Sequence, residues 1–267
     1  MIVYPCAKIN LGLNVVNKRT DGYHDLETVF YPIPLYDKLE IEQSDKITSL
    51  ELKGTPLYGK MEDNLVIKAY NALRQKYSIP NVKITLEKHI PSQAGLGGGS
   101  SDCAYTIKAL NDMFSIGMNY SEMKEIAVTL GADCPFFIEP QPSFATGIGD
   151  KLSPIPFSLN GYWIVIIKPP FAVSTREAFS NIIPMQPKKR CDLTVLGDIY
   201  EWRNNLLNDF ENSVFGIYPI LEKIKQDFYD RGAIYSSMSG SGSSMFAIFK
   251  DEPTIFNING EYYKMIL

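Results

Sequence analysis

The sequence predicts a protein of mixed α and β structure divided into two domains. Alternating apolar residues at 8–15 and 82–86 predict half-buried strands, whereas 62–77 has apolar residues at helical spacing. A turn-rich stretch from Pro140 to Pro156 predicts the boundary, giving domains 1–148 and 149–267. A chain of 267 residues is long enough to bury a large core as one domain or as two.

Residues 91–102, PSQAGLGGGSSD, form the most distinctive stretch, with four glycines in 95–99 interrupted only by Leu96. A strand is expected before it, over 82–90, and a helix after it, over 101–114. Residues without Cβ let several backbone N–H groups converge on one anion, and a helix N-terminus adds positive potential. We therefore predict a phosphate-binding turn. A flexible turn or a tight helix–strand contact is the alternative.

This turn does not match the two commonest phosphate-binding patterns. Gly99 is followed by Ser100 and not by the Lys of a Walker loop, and the third glycine of a dinucleotide pattern would fall on Ser100. A second glycine–serine turn, 239–244, lies between two apolar runs expected to be strands. It is equally compatible with an anion-binding turn and with a simple hairpin loop.

The strand at 8–15 carries polar residues on one face. Period-two alternation places Lys8 and Asn10 together, within about 7 Å of each other. A solvated, exposed strand face is the slightly favoured interpretation. Past the hairpin signal Asp21-Gly22, Tyr23 and His24 stand at a strand end. They could hold a planar ligand or pack against the next loop.

Asp133 follows Gly131, which we expect to end a helix over 121–130 in the left-handed conformation. Its carboxylate fits an ordinary turn or cap, or a group oriented for acid–base work.

The other predicted elements follow from local signals. Ser121 is the expected N-cap of the helix at 121–130, Asp63 or Asn64 that of the helix at 62–77, and Ser174 or Thr175 that of a short helix. Further strands are expected at 26–31, 38–42, 47–52 and 162–168, the first two separated by Pro32 and Pro34, and further helices at 203–215 and 217–231.

Composition excludes several classes of protein. The formal net charge of −4 argues against a nucleic-acid surface, and the longest apolar run, 162–167, is too short to span a bilayer. The four cysteines lack metal-ligand spacing, so we expect no structural zinc site. The opening MIVYPCAKIN has no signal-peptide pattern, which predicts a cytoplasmic protein with reduced thiols.

Three stretches resemble, in order, the motifs of the GHMP small-molecule kinases. They are PCAKINLGL near the N-terminus, P-x3-GLGGGSSD at 91–102 and the turn at 238–246. The runs DGYH at 21–24, EDNL at 62–65 and LGAD at 130–133 are similar to a member that phosphorylates a cytidine diphosphate methylerythritol in non-mevalonate isoprenoid synthesis. The resemblance covers nearly the whole chain and is weakest at 184–202 and after 250.

The resemblance implies an α+β GHMP kinase fold of two domains with a cleft between them. It implies transfer of the ATP γ-phosphoryl group to the 2-hydroxyl of the methylerythritol unit, with Asp133 as the carboxylate that accepts the hydroxyl proton and Lys8 beside it. ATP would bind at Asn64, Leu65, Gly95, Leu96, Gly97, Gly98, Gly99, Ser100 and Ser101. Mg²⁺ is expected, with Ser100 or Ser101 as a candidate ligand.

By the same resemblance, Tyr23 stacks on cytosine, His24 hydrogen-bonds its polar edge and Phe179 covers the opposite face. Asn10 and Thr175 complete the implied substrate-binding set. A different GHMP kinase, for mevalonate or homoserine, and a non-catalytic ligand sensor on the same fold are the alternatives. The pair Tyr23-His24 argues against the first, and the presence of Lys8 and Asp133 argues against the second. The sequence does not give the oligomeric state.

Overall fold

The computed structural model describes residues 1–56, 60–254 and 259–267. Two compact units are present, and each draws on three separate stretches of chain. Unit 1 consists of Met1–Ala7, Pro34–Ser92 and Gly97–Pro140, and unit 2 of Lys8–Ile33, Gln93–Leu96 and Gln141–Leu267. The domain boundary at residues 148 and 149 stays a prediction.

The strands are β1 (Ile2–Val3), β2 (Cys6–Lys18), β3 (His24–Tyr36), β4 (Lys38–Gln43), β5 (Ser49–Gly54), β6 (Val82–Lys88), β7 (Ser143–Thr146), β8 (Lys151–Pro154), β9 (Trp163–Lys168), β10 (Tyr235–Met238), β11 (Met245–Phe249) and β12 (Glu261–Ile266). The helices are α1 (Leu65–Lys76), α2 (Gly98–Met113), α3 (Tyr120–Leu130), α4 (Cys134–Ile138), α5 (Thr175–Phe179), α6 (Cys191–Val195), α7 (Trp202–Asn205), α8 (Phe210–Ile217) and α9 (Pro219–Asp230).

Unit 1 is built on a sheet in the order β1-β4-β6-β5, in which β5 runs parallel to β6 and the other pairs are antiparallel. Alternation along β6 buries Val82, Ile84 and Leu86, as predicted. Helix α2 packs against α1 and α4. Asn64 caps α1, because its side-chain oxygen accepts a hydrogen bond from the Val66 N–H at 2.9 Å.

Unit 2 holds two sheets, ordered β2-β3-β7-β8 and β10-β11-β9-β12. Its main hydrophobic core combines inward residues of β2, β9 and β11, such as Leu13, Val165 and Ala247, with the buried faces of α8 and α9. The β2–β3 connection is the predicted hairpin. Gly22 has φ +88°, and the Arg19 N–H donates to the Tyr23 carbonyl at 2.9 Å.

The sequence predicts that this strand ends at residue 31, before Pro32 and Pro34. In the structure β3 continues through both prolines to Tyr36. Pairing with β7 involves Thr28–Phe30 only, so neither proline falls where that ladder needs an N–H group. Proline is compatible with extended backbone wherever no donor is required.

The predictions for the two ends of α3 are also wrong. Asn119, and not Ser121, is the N-cap, because Asn119 and Glu122 form a reciprocal capping box. At the other end Gly131 has φ 177°, which is extended and not left-handed.

The helix expected at 203–215 is interrupted at 206–209. The Leu13 N–H donates to the Leu207 carbonyl and the Asp209 N–H donates to the Leu13 carbonyl, both at 2.8 Å. Backbone pairing with β2 therefore replaces helical hydrogen bonds there. No helix within the described residues has the length and apolar content needed to cross a membrane.

Candidate functional site

The glycine-rich turn leads directly into α2. Gly95 and Gly97 have φ of +75° and +72°, which favours glycine at both positions. Gly97 is the N-cap of α2 and has no side chain to satisfy the first N–H groups of the helix. The structure thus places uncapped donors and a positive helix end at the predicted phosphate-binding turn.

Gly95 lies against the second glycine–serine turn. A Cβ at Gly95 would stand 1.9 Å from the Ser239 carbonyl oxygen, so no other residue fits. The Ser239 hydroxyl donates to the Gly95 carbonyl at 2.8 Å, and the Ser244 N–H donates to the Ala94 carbonyl at 3.2 Å. Residues 239–244 connect β10 to β11, as a hairpin requires, and at the same time hold residues 94 and 95.

The next two glycines have different surroundings. A Cβ at Gly98 would lie 2.9 Å from Ile90 Cγ2 and 3.3 Å from Lys88 Nζ, whereas at Gly99 the nearest atom would be Leu65 Cδ1 at 3.8 Å. Gly98 is buried and Gly99 is exposed. The alternative interpretation, a tight helix–strand contact, therefore applies to Gly98. The backbone at Gly99 is accessible to solvent.

Lys8 and Asn10 are buried, with only 3% and 2% of their surface exposed, so the exposed-face interpretation is wrong. Lys8 Nζ donates to Asn10 Oδ1 at 2.5 Å and lies 4.8 Å from the centre of the Phe30 ring. Sequence alternation could not reveal what covers the second face, because Ser239 and Thr28, which contact Asn10, are distant in the chain.

The three aromatic residues implied for cytosine lie in unit 2. His24 and Phe179 are stacked, with ring centres 4.6 Å apart and planes inclined by 22°. Tyr23 precedes His24 in the hairpin and is 61% exposed. Thr175, the first residue of α5, is exposed, and Ser174 caps that helix through a capping box with Glu177.

Asp133 stands immediately before α4, as its half-buried N-cap residue. The following residue, Cys134, is buried, and hydrogen bonds with the Cys103 thiol and the Ser100 hydroxyl lower the pKa of its thiol, although burial acts in the opposite direction. A Cβ at Gly131 would lie 3.0 Å from Cys134 Sγ and 3.9 Å from Ser100 Oγ. The first turn of α2 and the segment that carries Asp133 are thus neighbours within unit 1.

Two other predicted ATP-binding residues, Asn64 and Leu65, start α1 in unit 1 and are half-buried. The Asn64 side-chain oxygen is occupied as the helix cap, so its amide nitrogen is the end that could serve a ligand. Leu65 is the nearest neighbour that a Cβ at Gly99 would meet. The structure therefore brings Leu65 to the open part of the glycine turn.

Comparison with known proteins decides the family. The model of the GHMP kinases N terminal domain matches residues 64–139, and that of the GHMP kinases C terminal matches residues 192–262. The chain belongs to the GHMP kinase family. The α+β GHMP kinase fold predicted from the sequence motifs is thereby confirmed.

Relatives of this GHMP kinase cover almost its whole length. Proteins named 4-diphosphocytidyl-2-C-methyl-D-erythritol kinase from Bacteroides fragilis and Bacteroides thetaiotaomicron are 50% and 51% identical to it, over 98% and 96% of the chain and 96% and 94% of the relatives. A crystal structure of 4-(cytidine 5'-diphospho)-2C-methyl-D-erythritol kinase superposes with a TM-score of 0.79 at 31% identity, covering 93% of this chain and 90% of that one. Homoserine kinase from Cytophaga hutchinsonii, at 20% identity and a TM-score of 0.66 over 93% of this chain and 86% of that one, shares the fold.

Sequence reasoning missed a buried charge cluster beneath the glycine turn of this kinase, in unit 1. Lys88 Nζ donates to Asp37 and, at 2.6 Å, to Asp102 Oδ2. Asp37 Oδ1 also accepts the His89 and Ile90 N–H groups, at 2.6 and 2.8 Å. A signal was present, because alternation along β6 puts Lys88 on the same buried face as Val82, Ile84 and Leu86.

The cluster holds two carboxylates and one ammonium with almost no contact with water. Burial raises the pKa of Asp102 to about 7, although Lys88 acts in the opposite direction. Burial would lower the pKa of Lys88, but Asp102 and Asp37 outweigh it and raise that pKa. Asp102 Oδ1 is buried without a hydrogen-bond partner. A shared cation is thus not enough to stabilise both carboxylates fully in the ionised form.

Proposed function

We propose that this chain transfers the γ-phosphoryl group of ATP to the 2-hydroxyl of 4-diphosphocytidyl-2-C-methyl-D-erythritol, a step of non-mevalonate isoprenoid synthesis. The observation that carries the proposal is the roughly 50% identity, nearly end to end, to proteins that bear the name of that kinase. The geometry within each of the two units is compatible with it.

ATP is assigned to the glycine turn and the start of α2. Phosphate needs converging donors and room for its oxygens, and the uncapped N–H groups after Gly97, together with the exposed backbone at Gly99, meet both needs. Asn64 and Leu65 at the start of α1 are assigned to the adenine side. Only small residues in this turn would let the triphosphate come close to the backbone.

Mg²⁺ would be held mainly by the phosphates. Among residues 1–56, 60–254 and 259–267, no three acidic, histidine or cysteine side chains gather as a metal site. Mg²⁺ keeps several waters and needs few protein ligands beside a nucleotide. The half-buried Ser100 hydroxyl is the better candidate ligand, since Ser101 Oγ is fully enclosed. The ion would neutralise charge on the β- and γ-phosphates.

Asp133 and Lys8 are assigned to the chemistry. Asp133 is proposed to orient the acceptor hydroxyl and take its proton, and Lys8 to stabilise the charge that develops on transfer. Phosphoryl transfer requires mostly positioning and electrostatic stabilisation, so one carboxylate and one ammonium are sufficient. The burial of Lys8 supports its role, because an ammonium in a low-dielectric site acts more strongly than one in water.

Cytidine recognition is assigned to Tyr23, His24 and Phe179, with Asn10 and Thr175 contacting the rest of the acceptor. The stacked His24 and Phe179 rings and the exposed Tyr23 ring offer aromatic surface within a single unit. Aromatic stacking on a base stabilises binding by roughly 1–3 kcal/mol. Cytoplasmic location stays a prediction, as does the role of each of these residues.

The decisive experiment is a coupled assay of ADP release with a panel of alcohols. The panel contains 4-diphosphocytidyl-2-C-methyl-D-erythritol, its uridine analogue, mevalonate and homoserine. We expect turnover with the cytidine compound to exceed that with every other alcohol. Faster turnover of mevalonate or homoserine would establish a different GHMP kinase, and no turnover of any alcohol would favour a ligand sensor.

A further inference from the structure

The buried amide of Asn10 has one defined orientation, and a threonine on the neighbouring strand determines it. Asn10 Nδ2 donates to Thr28 Oγ1 at 3.0 Å, while Asn10 Oδ1 accepts from Lys8 Nζ at 2.5 Å. All three side chains belong to unit 2, and each has at most 3% of its surface exposed. Water therefore cannot substitute for a missing partner at low cost.

Thr28 can only accept from Asn10, because its own proton is already used. The Thr28 hydroxyl donates to the Gly12 carbonyl at 2.5 Å. A hydroxyl has one proton, so its remaining role is that of an acceptor. Rotating the Asn10 amide by 180° would place Oδ1 against Thr28 Oγ1 and the NH₂ group against the Lys8 ammonium. Both contacts would then be repulsive.

Hydrogen bonds other than those of the Asn10 side-chain amide also hold the backbone around this triad. Thr28 pairs with Ala145 in the β3–β7 ladder. The Asn10 N–H donates to Ser239 Oγ at 3.3 Å, and Ser239 in turn donates to the carbonyl of Gly95 in the glycine turn. The amide of Asn10 is thus the rotatable link between Thr28 and Lys8 in an otherwise fixed frame.

We propose that Thr28 is a positioning residue for phosphoryl transfer, which acts by fixing the Asn10 amide so that its oxygen directs the Lys8 ammonium. This inference rests on the proposed kinase activity and on Lys8 taking part in it. Thr28 contacts no reacting atom in this scheme. Its effect reaches the reaction only through Asn10.

The test compares Thr28→Val, which keeps the shape but lacks the hydroxyl, with Thr28→Ser, which keeps the hydroxyl. Thr28→Val should lower kcat by about tenfold or more, up to the roughly 10² to 10³ that loss of one preorganised donor costs. KM for ATP should change less than about threefold, because neither Thr28, Asn10 nor Lys8 is among the residues assigned to ATP. Thr28→Ser should retain most of the activity. Equal kcat values for wild type and Thr28→Val, or equal losses in both variants, would overturn the proposal.

A double-mutant cycle separates positioning from general structural damage. In an Asn10→Ala background Thr28→Val should have little further effect on kcat, because the link through which Thr28 acts is already gone. Independent multiplication of the two losses would show that Thr28 acts by another route. If Thr28→Val fails to fold, the same cycle is run with Thr28→Ala.

An NMR measurement judges the inference without relying on turnover. The Asn10 side-chain amide protons should exchange slowly with solvent in wild type and in Thr28→Ser, and much faster in Thr28→Val. Equal exchange in wild type and Thr28→Val would overturn the assigned orientation even in an active enzyme. Conversely, an inactive wild type with a protected Asn10 amide would refute the proposed function and leave the positioning of the amide established.

Discussion

Lys88 Nζ lies 2.6 Å from Asp102 Oδ2, and the two side chains join the last residue of β6 to the second turn of α2. The same ammonium is bound to Asp37, whose other oxygen accepts the N–H groups of residues 89 and 90. The strand, the segment that enters the glycine turn and the helix that leaves it are therefore held by one cation. Stability and nucleotide binding should both depend on it.

Removal of Lys88 should be strongly destabilising. Lys88→Met leaves Asp37 and Asp102 buried without a cation, and breaking a buried ion pair in this way costs roughly 3–5 kcal/mol of unfolding free energy. The measurement is denaturant unfolding. Lys83→Met is the control, since Lys83 is on the same strand but half exposed and pairs with Glu51 at 3.5 Å, so its loss should cost less than about 1 kcal/mol. Similar losses for the two variants would contradict a buried pair.

Asp102 should make stability depend on pH in the weakly acidic range. Because burial raises its folded-state pKa to about 7, the folded protein keeps this proton where the unfolded chain loses it. The free energy of unfolding should then fall as pH rises from about 4 to about 7, by at most about 4 kcal/mol, and stay level above. Asp102→Asn should remove that contribution. Asp112→Asn, an exposed change on the same helix, should leave the pH dependence of the unfolding free energy intact. The same pH dependence in Asp102→Asn as in wild type would refute its assignment to Asp102.

Gly99 is the better position for testing nucleotide binding. A side chain at Gly98 would first strike Ile90 and Lys88, whereas a Cβ at Gly99 would meet only Leu65 Cδ1, at 3.8 Å. Gly99→Val should therefore weaken ATP binding by about tenfold to a hundredfold, the equivalent of one hydrogen bond to a charged group, without loss of stability. Gly216→Val is the matched control, since Gly216 is also helical and exposed with no atom within 4 Å. Calorimetric titration with ATP measures both, and unchanged affinity in Gly99→Val would place the phosphates elsewhere.

Asp133 and Lys8 should act together in one catalytic step. Asp133→Asn keeps the shape but removes the proton acceptor and should lower kcat by about 10² to 10⁴. Lys8→Ala should lower it by at least about 10². The double variant should be little slower than the slower single variant, as is usual for residues that serve one step. Steady-state rates decide the matter: multiplied losses would indicate independent roles, and a wild-type rate in either single variant would remove that residue from the mechanism.

His24 should determine base preference. Because His24 stacks on Phe179, the test uses His24→Phe, which keeps the ring contact and removes only the ring nitrogens. KM for the cytidine substrate should rise about tenfold or more, as expected when a polar edge loses its partner, while KM for ATP stays nearly constant. The preference for cytosine over uracil should also narrow. If melting temperature falls while base preference is retained, His24 has a structural role only.

Local signals predicted the elements of this kinase well wherever neighbouring residues determine them. The β6 strand, the following glycine turn and helix α2 follow from alternation, missing Cβ atoms and helical spacing, and Asn64 was a predicted cap. The capping box of Asn119 and Glu122 is also a local signal, since the two residues stand three positions apart in the sequence.

Contacts between distant segments could not be predicted in the same way. The helix expected at 203–215 is interrupted at 206–209 because residues 207 and 209 pair with Leu13, about 195 positions earlier. Likewise Asn10 is buried by Thr28 and Ser239, so its strand face could not be distinguished from a solvated one. Lys88 is an intermediate case, since its place on an apolar face was readable but its two carboxylate partners were not.

The discontinuity of unit 2 has a consequence for synthesis on the ribosome. The β2–β3 hairpin is complete by residue 36, but β7, with which β3 pairs, begins at residue 143, more than 100 residues later. At about 5–20 residues per second, the hairpin waits roughly 5–20 seconds for its partner strand. Throughout that interval the open edge of β3 and the apolar side chains of Leu13 and Val15 lack their native cover. An unpaired strand edge of this kind can pair with other chains until β7 has been made.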